Sequence, residues 1–257
     1  MPTATKSFYV DDLLVQIYKS ETEMALDAAE VVQKYLKQLL QKQNKTALLL
    51  ATGNSQLKFL NALITLGEID WSKIILFHLD EYLGISAEHP ASFRFYLRER
   101  VEKRVFPQQF HYLEGDTLEP IAECDRYSKL LQNQTIDLCL LGVGENGHLA
   151  FNDPAVADFQ DPASVKLVKL DEINRQQQLN TGYFQNMVDV PQYAFTLTIP
   201  MICQAKKIIC LAPEKRKAKI VQEILQGDIT TTCPASILRT QPQASLFLDL
   251  NSASLLT

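Results

Sequence analysis

Two side-chain clusters in this 257-residue chain have the composition of acid–base machinery. In His78-Leu79-Asp80-Glu81-Tyr82-Leu83-Gly84, two acids follow an apolar run, where a carboxylate contributes little to packing. Adjacent acids can supply a general base, because burial or a like-charged neighbour raises a carboxylate pKa toward neutrality. The same residues would also serve to open a loop or cap a helix. In Gly142-Val143-Gly144-Glu145-Asn146-Gly147-His148-Leu149-Ala150-Phe151-Asn152-Asp153-Pro154, one histidine sits between an amide and a carboxylate in a glycine-rich loop. Histidine moves protons near neutral pH, and Asp153 could orient its ring.

A third cluster, Ala51-Thr52-Gly53-Asn54-Ser55, has the makings of an anion cradle. Gly53 lets backbone N–H groups approach a ligand, Thr52 and Ser55 add hydroxyls, and a following helix would present its positive end. A tight turn with an N-cap serine fits the same residues. Further on, Lys215, Arg216, Lys217 and Lys219 crowd the start of a helical pattern. Cations there oppose the helix dipole unless they face an anion. Gly142 to Gly147 spell G-x-G-x-x-G, the fingerprint of dinucleotide binding, which requires a helix to begin within the glycines. Asn152-Asp153-Pro154 and Asp161-Pro162 interrupt any such helix. No nicotinamide cofactor is therefore expected. Nor is a metal, since the histidines at 78, 89, 111 and 148 lack H-x-x-x-H spacing and no cysteine pair supports zinc.

The elements that must position these clusters alternate in period. Apolar steps of three and four from Glu21 to Leu40 predict an amphipathic helix, and Leu57 to Leu66 and Ser92 to Val105 predict two more. The continuous apolar run Thr46–Ala51 suits a strand covered on both faces, Ile74–Leu79 reads as another strand, and Ile136–Leu141 as a third buried strand. Phe195–Ile199, Lys207–Leu211 and Ser245–Leu250 read as further strands. A helix from about Pro213 to Gln226 would have Pro213 in its first turn and Gly227 as its C-terminal cap. Strands alternating with helices predict one α/β domain over 1–257, doubly wound and Rossmann-like, with a mostly parallel sheet flanked by helices. All three polar clusters then fall where open α/β sheets bind ligands, beyond the carboxyl ends of strands.

Composition narrows the partners. A net charge of −5 gives no basic footprint for nucleic acid or an anionic membrane. No run approaches the roughly 18 apolar residues of a membrane span, and the first residues lack the apolar core of a signal peptide. Five widely spaced cysteines suggest a reducing compartment and a cytoplasmic protein. A small molecule is the expected ligand.

Together the clusters resemble the glucosamine-6-phosphate deaminase/isomerase family, with 6-phosphogluconolactonases as more distant relatives. Leu79-Asp80-Glu81-Tyr82 followed by His89-Pro90-Ala91-Ser92, and Gly147-His148-Leu149-Ala150-Phe151-Asn152-Asp153-Pro154, resemble the deaminases more than the lactonases. The resemblance extends to Cys233-Pro234-Ala235-Ser236. It implies that an amino-sugar 6-phosphate is ring-opened, isomerised from aldose to ketose and stripped of ammonia to give fructose 6-phosphate. Asp80 would shuttle a proton between C2 and C1, while His148, supported by Asn146 and Asp153, would assist ring opening. Thr52, Gly53, Asn54, Ser55, Glu81, Gly147 and Lys217 would contact substrate.

There are departures from the family pattern. Asn146 stands where many members have aspartate, and Asp153 where glutamate is more usual, which suggests that its hold on His148 runs through water. The arginine that often precedes a Tyr-Phe pair is missing from Asn180-Thr181-Gly182-Tyr183-Phe184, leaving Arg175 as the candidate phosphate partner. Two other readings stand beside this one. A sugar-lactone hydrolase needs one general base for water, and a non-catalytic sugar-phosphate sensor would need neither Asp80 nor His148 as a proton carrier. Glucosamine or galactosamine phosphate and a homo-oligomeric state are left open.

Overall fold

The computed structural model describes residues 3–180 and 182–256; Met1, Pro2, Thr181 and Thr257 lie outside it. Its strands in chain order are β1 (Lys6–Val10), β2 (Leu13–Tyr18), β3 (Thr46–Leu50), β4 (Ile74–His78), β5 (Asp80–Tyr82), β6 (Gln109–His111), β7 (Ile136–Gly142), β8 (Val165–Lys169), β9 (Tyr193–Leu197), β10 (Ile208–Leu211) and β11 (Ala244–Asp249). Eight of them form a sheet in the order β1-β2-β11-β10-β7-β3-β4-β6, parallel throughout except for the β1–β2 pair. The chain leaves β3 toward β4 on one side and returns to β7 on the other. The connections that leave the carboxyl ends of β3 and β7 therefore diverge, and a crevice opens between them.

Period-two alternation explains why this sheet is covered on both faces. In β3, Leu48 and Leu50 enter one core with Met24, Val32 and Leu36 of α1 (Glu21–Leu40) and Phe59 and Leu63 of α2 (Asn54–Leu66). Ala47 and Leu49 enter the other with side chains of later helices. A helical run starts at α3 (Phe93–Leu97), passes through a π-turn at Arg98–Glu102 and ends in α4 (Lys103–Val105). Tyr127 and Leu131 of α5 (Pro120–Gln132) belong to that second core. α6 (Glu172–Leu179) follows, then α7 (Ile199–Cys203) and α8 (Ala218–Gln226), whose Ile202 and Val221 complete the core.

The structure departs from the sequence expectation at several points. β5, β9 and β8 form a separate antiparallel sheet, so Phe195–Leu197 does not extend the parallel one. Only Leu79 separates β4 from β5. Its N–H donates to Leu50 O at 3.2 Å, and its carbonyl accepts Leu197 N–H at 2.8 Å, so one residue joins the two sheets. α2 begins at Asn54, three residues earlier than periodicity suggests, which draws Asn54 and Ser55 into its first turn. The helix after β10 starts as a 3-10 turn at Lys215–Lys217, leaving Pro213 outside it, and Gly227 has extended backbone rather than a left-handed cap. As expected, no helix follows the Gly142–Gly147 loop.

Candidate active site

The crevice between β3 and β7 opens into a cleft of about 780 Å³. Thr52 to Ser55, Asp80, Gly142 to Glu145, His148, and Glu214, Arg216 and Lys217 line it. All three polar clusters thus meet in one place, together with the basic segment after β10.

Asp80 stands at the joint between the sheets. Successive residues of a strand point to opposite faces, so Asp80 faces the cleft while Glu81 faces away. The two carboxylates then have different fates. Glu81 is fully buried and is not a cleft residue. It accepts Ser92 Oγ–H (2.7 Å) and the N–H groups of Tyr82 (2.9 Å), Phe93 (3.1 Å) and Arg94 (2.9 Å). The Arg94 guanidinium lies 3.5 Å away. Glu81 therefore anchors the start of α3, which corrects its expected substrate role. The signal that could have shown this is Ser92, an N-cap whose helix start needs a nearby acceptor. Gly115 packs on this anchor with no room for a methyl, since a Cβ there would lie 2.5 Å from Tyr82 O and 2.9 Å from Glu81 Cγ.

No donor among the described residues reaches the Asp80 carboxylate. Burial first, and the neighbouring Glu81 charge second, push its pKa well above the ordinary carboxylate value. A carboxylate poised closer to neutrality is suited to taking and returning a proton. His78, directly before the joint, is fully buried, and desolvation drives its pKa down to about 3. It is a neutral core residue whose Nε2 accepts Leu113 N–H at 2.9 Å.

His148 is oriented by its own loop. Asp153 Oδ1 lies 2.9 Å from its Nδ1, a direct contact rather than one through water. Asn146 Nδ2 donates to the same oxygen at 2.9 Å, and Asn146 Oδ1 accepts the His148 N–H at 3.1 Å. A carboxylate holding Nδ1–H leaves Nε2 as the ring atom free for a ligand. Gly144 creates the space, because a Cβ there would lie 2.2 Å from the imidazole. Gly147 has φ +84°, which a glycine adopts freely. It does not line the cleft, and its carbonyl accepts Ala235 N–H at 2.8 Å. Gly147 shapes the loop and is not part of the cleft wall. The glycine fingerprint thus serves room and curvature for one histidine.

At the other end of the cleft, Gly53 precedes α2 with φ +98° and offers no side-chain cap. The first N–H groups of that helix are therefore available to an anion. Tyr96 Oη–H donates to Gly53 O at 3.1 Å and fixes the turn. Lys217 is buried, at 7 % exposure, yet no acceptor among the described residues lies within hydrogen-bond distance of its Nζ. Desolvation, and then the Arg216 charge, lower its pKa to about 8. Arg216 belongs to the basic cluster of the sequence, but spacing along the chain does not place it in the cleft wall.

Arg175 is turned away from the cleft. Its Nη2 donates to Met187 O (2.6 Å) and Val190 O (2.9 Å), which ties α6 to the segment after it. Gln178, Asn180 and Tyr183 of that region face the cleft instead. Thr181, within the stretch where the arginine is missing, lies outside the described residues. Among the described residues no group of three or more His, Cys, Asp or Glu side chains is placed to hold a metal ion. No described helix is long and apolar enough to cross a membrane.

The chain is similar to known proteins over most of its length. Glucosamine-6-phosphate deaminases of Exiguobacterium sibiricum and Thermoanaerobacter pseudethanolicus are each 36% identical to the chain, and each alignment covers 91% of both sequences. A solved monomeric glucosamine-6-phosphate deaminase superposes with a TM-score of 0.86 at 31% identity, covering 94% of this chain and 99% of that one. A 6-phosphogluconolactonase from Thermotoga maritima shares the fold, with a TM-score of 0.74 at 19% identity over 91% of this chain and 98% of its own. The family described as glucosamine-6-phosphate isomerases/6-phosphogluconolactonase matches residues 19–247, and the chain belongs to it.

Proposed function

We propose that the protein is a glucosamine-6-phosphate deaminase, converting glucosamine 6-phosphate and water to fructose 6-phosphate and ammonia. One observation carries this reading: a desolvated carboxylate, an oriented imidazole and an anion cradle line the same cleft. The relatives' activity and their coverage of nearly the whole chain support it.

In this reading the phosphate rests on the Thr52–Ser55 turn and Lys217. His148 Nε2 takes the proton of the anomeric hydroxyl and returns it to the ring oxygen as the C1–O bond breaks. Ionised Asp80 then removes the proton from C2 and delivers it to C1, while the C1 oxygen gains a proton and the 2-amino nitrogen gives one up, so the aldose becomes a ketose-level imine. Water adds to C2 and ammonia leaves. Asn146 and Asp153 hold the imidazole in place throughout, and Glu81 acts from the other face of the strand, by anchoring the start of α3 and by the charge it places beside Asp80. The free cysteines suit a cytoplasmic location.

Ammonia release from a substrate panel tests the proposal. The panel contains glucosamine 6-phosphate, its galactosamine epimer and 6-phosphogluconolactone. Turnover of an amino sugar with equimolar ammonia and ketose phosphate is the expected result. Hydrolysis of the lactone alone would replace the deaminase reading with a lactonase.

A further inference from the structure

The cleft holds an arginine whose arrangement the proposed chemistry does not use. Besides the His148 imidazole, Arg216 and Lys217 are the basic side chains among the described residues that line it. Lys217 alone is a point charge for a dianion, whereas a guanidinium offers a planar fork that matches phosphate oxygens. Arg216 is already engaged on both sides. Its Nε donates to Glu214 Oε2 at 2.7 Å and its Nη2 approaches Glu214 Oε1 at 3.4 Å, while Nη1 donates to Glu145 at 2.7 Å. Glu145 belongs to the loop that carries His148, so Arg216 bridges the basic segment and the catalytic loop.

Glu214 is held in an uncommon way. Its backbone has φ +80° and ψ 145°, a region that favours glycine. Its N–H donates to Asp249 Oδ1 at 3.2 Å, at the carboxyl end of β11. Asp249 is buried and is fixed in turn by Ser252 N–H at 2.8 Å. A side chain kept at such a backbone position has a use there, and its contact is Arg216. Both ion pairs of Arg216 join half-exposed side chains, and exposed ion pairs are weak. What sets Glu214 apart is the backbone that aims it and its two contacts to the guanidinium, against one from Glu145. One partner is thus built in, and the other is easily exchanged.

Resting on the deaminase reading, we propose that Arg216 is a specificity residue for the 6-phosphate: substrate phosphate displaces Glu145 from the guanidinium, while Glu214 keeps the fork aimed into the cleft. Phosphate binding thereby releases Glu145, the residue next to Asn146, which holds both the His148 backbone and Asp153. The anion end and the proton-transfer end of the cleft are connected through this one exchange.

The test combines steady-state ammonia release with calorimetric binding of inorganic phosphate to the full chain. Arg216→Ala should raise KM for glucosamine 6-phosphate, and the Kd of phosphate, by roughly ten- to a hundredfold. kcat should stay within a few fold, because the phosphate keeps its charge along the reaction. Arg216→Lys should recover part of this loss, and Glu145→Gln should lower both constants by removing the internal competitor. Unchanged KM and Kd in Arg216→Ala overturn the proposal, as does a fall in kcat at constant KM. A Glu145→Gln variant without tighter binding overturns the exchange. Thermal melts confirm that each variant is folded. If the wild-type protein releases no ammonia from an amino-sugar phosphate, the deaminase reading fails, and phosphate binding alone then decides the role of Arg216.

Discussion

The two ends of the cleft handle charge in opposite ways. At the joint between the sheets, Asp80 is desolvated, no donor among the described residues reaches its carboxylate, and its pKa is raised well above that of a free carboxylate. Around Arg216, the guanidinium and two carboxylates are half-exposed and paired with one another, within reach of solvent and ligand. Burial tunes a group to give and take a proton, whereas exposure with ready partners tunes a group to bind. Damage at the first end should therefore appear in kcat, and damage at the second in KM.

The sharpest test of that division is Asp80→Asn. Loss of a general base should lower kcat by roughly 10²–10⁴ and leave KM within a few fold. The same variant should be more stable than the wild type at neutral pH. A carboxyl group whose folded pKa is raised contributes stability below its unfolded pKa of about 3.9 and loses it as pH rises through the folded value. The Tm advantage of the asparagine should therefore shrink as pH falls toward that range. A variant that loses Tm at pH 7, or retains full kcat, would break the comparison. The wild-type acid limb of kcat/KM should correspondingly lie above the ordinary aspartate range.

Glu81→Gln probes the other face of the same strand. Removing a buried charge that holds Arg94 and the start of α3 should lower stability by about 3 kcal/mol. In the molecules that remain folded, the acid limb of kcat/KM should move to lower pH, because a like charge beside Asp80 has gone. A limb that stays in place would show that desolvation alone sets the Asp80 pKa.

Smallest in free energy is Lys217→Ala, at the binding end. A charge-assisted contact is worth about 1.5–3 kcal/mol, which corresponds to a rise in KM of roughly ten- to a hundred-and-fifty-fold with kcat little changed. A loss confined to kcat would place Lys217 with the proton-transfer groups.

Much of this arrangement is legible in the sequence because β3, β4, β7, β10 and β11 are covered on both faces and read as predominantly apolar runs. The carboxyl ends of those runs are enough to mark Thr52–Ser55, Asp80 and His148 as neighbours. β5 is not legible, since three residues that include two acids carry no strand signal; pairing with β9 makes it a strand. The different roles of Asp80 and Glu81 follow from that hidden strand. β1 and β2 flank Asp11-Asp12 and could have been found from alternation. The crowding of Gly144 against His148, the capture of Arg175 by two carbonyls and the bridging of Arg216 are relations across space, and spacing along the chain does not encode them.

The single-residue joint at Leu79 makes the order of Asp80 and Glu81 a matter of parity. Leu79 is hydrogen-bonded to both sheets, so it sets the phase with which β5 begins. One residue inserted there or removed would shift that phase by half a pleat. The acid aimed at the ligand and the acid beneath α3 would exchange faces, with composition and length almost unchanged. Along β4 and β5 the chain must count correctly as well as pack.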